Sequence, residues 1–268
     1  MTTYLLAWIV CASLGAAFGQ EPSFEDLGRR PRNTAAEFAP VILQRVNDGS
    51  AAIDAPEDPF RPGQCNLLYD LKESATHIYV SYFVYHAADE KRIGLGSHAN
   101  DLEGVTIALR KAHGGEPVRP VAAITLAHNQ FLVHDLTRGD QLLEGDRLVI
   151  QIEAGAHGIR TVDARQKSGL GKLKGLLNVR KQAEDRALAK STDRTVRYDP
   201  AGSGGEHTYG LRLLTAGELE RLSAKFEGTT GNGARTPDQW ADGDKVAPGE
   251  LYRDPEAVFM RLVFGRGA

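Results

Sequence analysis

The stretch HIYVSYFVYHAADEKRIGLGSHANDLEGVTIALRK, residues 77–111, decides how this chain is read. Its first ten residues, 77–86, are β-branched or aromatic at almost every position. Such side chains fit a pleated surface and lose rotamer freedom in a helix, so 77–86 predicts a strand. Apolar residues fill both alternating rows, so both faces of that strand should be covered. Further short runs follow at 104–111 (GVTIALRK), 121–128 (VAAITLAH), 131–135 (FLVHD) and 146–155 (DRLVIQIEAG), divided by Gly, Asp, Asn or Pro. That punctuation predicts an α+β chain dominated by strands, built as an antiparallel, jelly-roll-like β-sandwich rather than from βαβ units.

Outward from this block the patterning changes. Residues 20–65 are rich in Pro, charge and small side chains, and read as an N-terminal arm with a short helix near Ala35 to Val46 and a proline-set loop at 55–64. Residues 168–191 take up helical spacing through Leu173, Leu177, Glu184 and Leu188, which predicts a helical insertion at about 165–195. DPAGSGGEH at 199–207 reads as a glycine-rich surface loop, without the Gly-Lys-Ser/Thr ending of a phosphate cradle. Thr215 with Glu218 three residues later is a capping box opening a C-terminal helix to Phe226, and Gly228 ends it. Residues 229–249 read as loop and 257–264 (AVFMRLVF) as a final strand. The expected layout is a leader at 1–19, the arm at 20–65, and one domain over 66–268 carrying the insertion.

The chain has 268 residues, 41% hydrophobic and 25% charged, which is ordinary for a globular protein. A formal net charge of -3 gives no general attraction for nucleic acid. Between Arg160 and Arg197 there are 11 Lys/Arg against 4 Asp/Glu, or +7, which leaves -10 for the rest. The insertion is therefore basic, either a solvated helix or a surface for an anionic partner or membrane. Residues 4–18 (YLLAWIVCASLGAAF) are apolar and small, and Ala17 and Gly19 sit where a leader peptidase cuts before Gln20. The expected destination is secreted or periplasmic, with no membrane-spanning segment in the mature chain. Removal of the leader takes Cys11 and leaves only Cys65, so no internal disulfide is expected.

The residues that could carry chemistry lie in the second half of the opening stretch. Side chains two apart share a strand face, so Asp101, Glu103, Val105, Ile107 and Leu109 form one row. The two carboxylates continue an inward apolar row and should sit where that face opens at one end. Two half-buried acids repel unless a cation, a proton or strong donors lie between them. His98 emerges from a Gly-Ser turn three residues before Asp101, and Asp89 and Glu90 end the preceding strand nearby. Asp89, His98, Asp101 and Glu103 together offer mostly oxygen donors and one imidazole, which suits Mg²⁺ or Ca²⁺, with Mn²⁺ next, over a closed structural zinc site. His86, His128 and His157 each fall at the end of a strand run, and together with the acids they would line a ligand pocket. His128 and His157 are also the candidates for a general base. His77, His113, His134 and His207 read as surface or packing residues.

Gly-Ser-His98-Ala-Asn-Asp101-Leu-Glu103 resembles the Gly-His-Arg-His-Asp-Trp-Glu signature of the necrosis- and ethylene-inducing-like proteins, over Tyr79 to His157. The His-x-x-Asp-x-Glu spacing is kept, while Asn100 and Leu102 replace the signature's second His and its Trp. The resemblance implies a secreted β-sandwich in which His98, Asp101 and Glu103, with Asp89 upstream, hold a divalent cation. It further implies recognition of a glycan, a glycolipid head group or another small polar ligand at that pocket. The competing expectation is an exported metal-dependent hydrolase or lyase, in which a metal-bound water is activated by His128 or His157. No His-Glu-x-x-His or Gly-x-Ser-x-Gly motif is present to favour a particular enzyme class.

Overall fold

The computed structural model describes residues 33–46, 55–89, 98–127, 130–137, 142–155, 157–162, 194–229 and 234–267. The expected leader, nearly all of the expected insertion, Glu90 and His128 lie outside the described residues, as does the side chain of Asp89.

Eleven strands form one sheet: β1 (Val41–Val46), β2 (Asn66–Glu73), β3 (His77–Asp89), β4 (His98–Arg110), β5 (Arg119–Ala127), β6 (Gln130–Asp135), β7 (Leu143–Glu144), β8 (Arg147–Ile152), β9 (Ile159–Thr161), β10 (Arg194–Pro200) and β11 (His207–Leu213). The order is β6-β5-β4-β3-β2-β11-β10-β1-β8-β7, and β9 lies off this path, antiparallel to β8 on the edge opposite β1. Strands β2 to β6 form an antiparallel meander, as their short punctuated runs predict. Elsewhere the pairing is mixed, not wholly antiparallel: β1 with β8, β10 with β11, and β11 with β2 run parallel. Two of these parallel contacts join strands far apart in sequence, and local alternation carries no information about such partners.

The sheet curls until β9 lies against β4 and β5, which nearly closes it around an interior. That interior is packed by Ile42, Leu67, Tyr82, Val84, Val105, Ile107, Leu109, Ile150 and Ile159. The opposite face of the meander carries Tyr79, Phe83, Tyr85, Leu102 and Ile124 beneath Phe226, Trp240, Val258 and Phe259 of the C-terminal region. Two cores thus sandwich β3 and β4, which is why both rows of 77–86 are apolar. Gly104 has a packing reason: a Cβ there would overlap the Trp240 indole.

Local chemistry explains the remaining elements. Residues 33–37 are helical, but the expected helix to Val46 stops before Pro40, and the β-branched VILQRV run becomes β1. Thr215 and Glu218 make both bonds of the capping box on the helix Ala216–Phe226. Glu218 also pairs with Arg212, whose Nε and Nη2 donate to the buried Asp58 at 3.0 Å, fixing the helix to β11. Residues 257–262 of the expected final strand instead belong to the helix Pro255–Leu262. Asp254 accepts from Ala257 N at 3.0 Å and Pro255 pre-sets the first turn, so the cap outweighs the β-branched content. Val258, Phe259 and Leu262 then face the core at helical spacing.

The seam where the sheet closes is bridged by a half-buried histidine. His134 on β6 has Thr125 Oγ1 at 3.1 Å from Nε2 and Thr161 Oγ1 at 3.0 Å from Nδ1, tying β5 and β6 to β9. Burial pushes its imidazole down from 6.5 to about 4. Its unfolded form binds a proton that the folded form refuses, so stability is fully present above pH 6.5 and is lost as pH falls toward 4. At about 1.4 kcal/mol per pH unit, the wild type should lose about 3 kcal/mol more than His134→Gln between pH 6.5 and 4, read from urea unfolding at each pH. Parallel stability–pH curves for the two proteins would remove His134 from the seam's energetics.

Candidate metal centre

Among the described residues, His86, Asp101 and His157 form the one group of His, Asp, Glu or Cys side chains arranged to hold an ion. All three are fully buried, and one donor atom from each lies within 4.8 Å of the others. Three separate stretches of chain deliver them. His86 on β3 and Asp101 on β4 are direct cross-strand partners. His157 comes from the turn between β8 and β9, where its N–H donates to Glu153 O at 3.2 Å. The closure of the sheet brings that turn over the end of the β3–β4 ladder.

The hydrogen bonds fix how each group is presented. His157 Nδ1 lies 2.8 Å from Asp101 Oδ2, an imidazole N–H donating to a carboxylate oxygen. The His86 and His157 rings stack with centroids 3.7 Å apart and planes 3° from parallel. Gln44, buried on β1, donates through Nε2 to Arg45 O at 3.0 Å and turns Oε1 toward His86 Nε2 at 3.3 Å. His86 therefore carries its proton on Nε2, which leaves a lone pair on Nδ1. Burial, reinforced by the neighbouring His157, holds His86 well below the ordinary histidine range, so the ring is neutral. Among the described residues, neither His86 Nδ1 nor Asp101 Oδ1 has a hydrogen-bond partner, and both atoms are sealed from solvent.

The expected site is only partly this one. Asp101 is at its centre, and His86 and His157 have moved from the lining of the expected pocket to its core. Glu103 is buried two residues along the same row, opposite Val84. His98 is half-buried, with Nδ1 at 3.2 Å from Ala99 O, and does not belong to the three-residue group. The Asp89 backbone pairs with His98 across the ladder. The helix expected through Val46 conceals Gln44, because 41–46 is instead strand β1. As a strand, 42, 44 and 46 share a face, and a glutamine between Ile42 and Val46 marks a polar contact inside an apolar row.

The only non-glycine residues with positive φ among those described are His157 (φ 50) and Asn100 (φ 57). One is in the group and the other immediately precedes Asp101. Left-handed backbone is costly for any residue with a Cβ, and such strain concentrates at functional sites. Asn100 is held by three side-chain contacts: Tyr85 OH donates to Oδ1 at 2.8 Å, and Nδ2 donates to Lys225 O at 3.2 Å and Thr229 Oγ1 at 3.3 Å. These bonds link the rim of β4 to the end of the helix Ala216–Phe226.

No family model and no curated protein matches the chain. Solved structures of necrosis- and ethylene-inducing-type proteins do. A structure described as a toxin fold for microbial attack and plant defense is 17% identical, covers 76% of this chain and 92% of its own, and has a TM-score of 0.39. NLPPya in complex with mannosamine is 17% identical over 76% of this chain and 91% of its own, with a TM-score of 0.37. Necrosis and Ethylene inducing Protein 2 from the causal agent of cocoa's Witches Broom disease is 18% identical over 37% of this chain and 45% of its own, with a TM-score of 0.31. The resemblance read from the His98, Asp101 and Glu103 spacing is to the same group of proteins.

Replacing Asn100 separates backbone strain from side-chain bonding. Asn100→Ala loses the side-chain bonds and keeps the left-handed backbone, and should cost about 2 to 3 kcal/mol in urea unfolding. Asn100→Gly loses the same bonds but relieves the backbone, and should be less destabilised by about 1 kcal/mol. The reverse ranking would show that φ at this position stores no strain.

Proposed function

We propose that this chain is an exported, divalent-cation-binding protein of the necrosis- and ethylene-inducing-like type, which uses the cation-bearing end of its curled sheet to recognise a glycan or a sugar-bearing lipid head group. The observation that carries the reading is the convergence of His86, Asp101 and His157 from three stretches of chain into a dry interior, with donor atoms left unmatched on His86 and Asp101. A buried carboxylate oxygen and a buried imidazole lone pair without partners are costly, and an ion between them offsets that cost. The ligand class is supported by the His98, Asp101 and Glu103 spacing, and NLPPya has been solved with mannosamine and with glucosamine. The sugar would meet the rim around His98, with the buried group and Glu103 beneath it holding that rim in shape.

A second reading, a metal-dependent hydrolase or lyase, is favoured by one contact. The Asp101 carboxylate orients the His157 imidazole at 2.8 Å, which is what a general base requires. Turnover of a glycan or ester panel, lost in His157→Gln, would select it over binding alone.

The test begins with chelator-treated protein. Returning a divalent cation at one hundred times its dissociation constant should stabilise the wild type by about 2.7 kcal/mol, seen as a rise in Tm, and should do nothing for Asp101→Ala. Glucosamine or mannosamine titrated by calorimetry should bind the cation-loaded protein and not the chelated one. Equal sugar binding with and without chelator would sink the cation's part in recognition. For export, the intact mass of protein collected from the medium or periplasm should correspond to a chain starting at Gln20. A mass that retains 1–19 would overturn the proposed cleavage.

A further inference from the structure

The geometry points to a nitrogen-rich transition-metal site, zinc in class, held by His86, Asp101 and His157, in place of the oxygen-ligated Mg²⁺ or Ca²⁺ that the acidic motif suggests. The inference rests on the proposed cation-binding reading and names its ion. Two imidazoles and one carboxylate form the group. Imidazole nitrogen is a borderline donor that suits Zn²⁺, Co²⁺, Ni²⁺ and Fe²⁺, whereas Mg²⁺ and Ca²⁺ take six or more oxygens and keep much of their water. With no solvent exposure on its three ligands, the site suits an ion that needs one further donor better than one that keeps several waters.

The surrounding bonds prepare these side chains as ligands. Gln44 Oε1 accepts from His86 Nε2 and so directs the His86 lone pair to Nδ1, an atom with no other partner. Asp101 Oδ2 orients His157 while Oδ1 stays unmatched. A metal-bound histidine usually donates its other N–H to a carboxylate or a carbonyl, and both histidines here already do so or are placed to. The size also fits. One donor atom from each side chain lies within 4.8 Å of the others, so drawing the three onto zinc at about 2.1 Å needs side-chain shifts on the order of 1 Å. The stacked imidazoles have parallel planes and must tilt apart for their lone pairs to converge, so loading opens the stack.

The experiment uses the full chain, stripped with chelator and titrated separately with Zn²⁺, Co²⁺, Mg²⁺ and Ca²⁺. Tm and, for Co²⁺, the visible d–d spectrum are recorded. Zn²⁺ and Co²⁺ should bind one equivalent and raise Tm at concentrations at least a hundredfold below those at which Mg²⁺ or Ca²⁺ acts, and Zn²⁺ should displace the Co²⁺ spectrum. His86→Ala should weaken Zn²⁺ by more than about a hundredfold, and His98→Ala should leave it unchanged. Should His86→Ala fail to fold, Gln44→Leu keeps the ligands and frees the tautomer, and should cost about ten- to a hundredfold in Zn²⁺ affinity. Zn²⁺ binding that ignores both His86→Ala and Gln44→Leu would overturn the assignment. Binding of Mg²⁺ or Ca²⁺ alone, lost in His98→Ala, would overturn the zinc assignment and leave the cation-binding proposal standing. No response to any of the four ions would overturn both.

Discussion

The antiparallel ladder between β3 and β4, running from His77 opposite Arg110 to Asp89 opposite His98, is the constraint on which the rest of the molecule depends. It is buried on both faces for most of its length, by the closed interior on one side and the C-terminal helices on the other. A polar side chain inside such a ladder cannot reach water and must be satisfied by the protein. Midway, Ser81 and Thr106 meet this demand as a cross-strand pair, hydroxyl to hydroxyl at 2.9 Å. The next buried polar pair, His86 opposite Asp101, does not close on itself. It recruits His157 and Gln44 and still leaves one atom on each partner unmatched. The same sheet thus contains a polar pair that is complete and one that is not, and the incomplete one lies toward the end of the ladder.

Curling of the sheet makes that recruitment possible. His157 reaches Asp101 only because β9 returns against β4 and β5, where His134 bridges Thr125 and Thr161 across the seam. The fold and the group are therefore coupled. Loosening the seam would withdraw β9 and, with it, the turn that carries His157. Asn100 supplies a second tie, from the rim of β4 to Lys225 and Thr229 beyond the opposite core. Both cores thus bear on the position of Asp101, one through the closing seam and one through the left-handed residue beside it.

Much of this was legible in the sequence because it is local. The apolar rows of 77–86 showed two covered faces, the Thr215 and Glu218 spacing showed a capped helix, and the alternation from Asp101 to Leu109 placed both acids on the interior row. What failed to read was set by partners distant in sequence. The parallel contacts of β1 with β8 and β11 with β2 leave no periodic trace. Pro255–Leu262 has the composition of a strand and was turned to helix by one capping aspartate. At the site, spacing favoured His98 because it lies three residues from Asp101, while the residues that reach Asp101 come from positions 86 and 157, through sheet register and closure. Gln44 was hidden by the helical reading of its segment. The family resemblance and the buried group share Asp101 and differ in the neighbours they give it.

The energetics of the group argue that it is there for chemistry. A buried polar cluster of this kind is often no more stabilising than aliphatic side chains of similar volume, and here it also leaves donors unmatched. The chain accepts left-handed backbone at both Asn100 and His157 to hold it. Each departure costs on the order of 1 kcal/mol or more, against a net stability of roughly 5 to 15 kcal/mol for a typical domain. Elsewhere in the interior, local preference and burial agree: β-branched and aliphatic residues fill rows of matching period, and the Tyr82 and Tyr209 hydroxyls find carbonyl partners at Ala35 and Pro40. The two left-handed non-glycine residues among those described both lie at Asp101 or beside it. Costs of this kind, gathered on one buried group, are the physical basis of the cation-binding proposal.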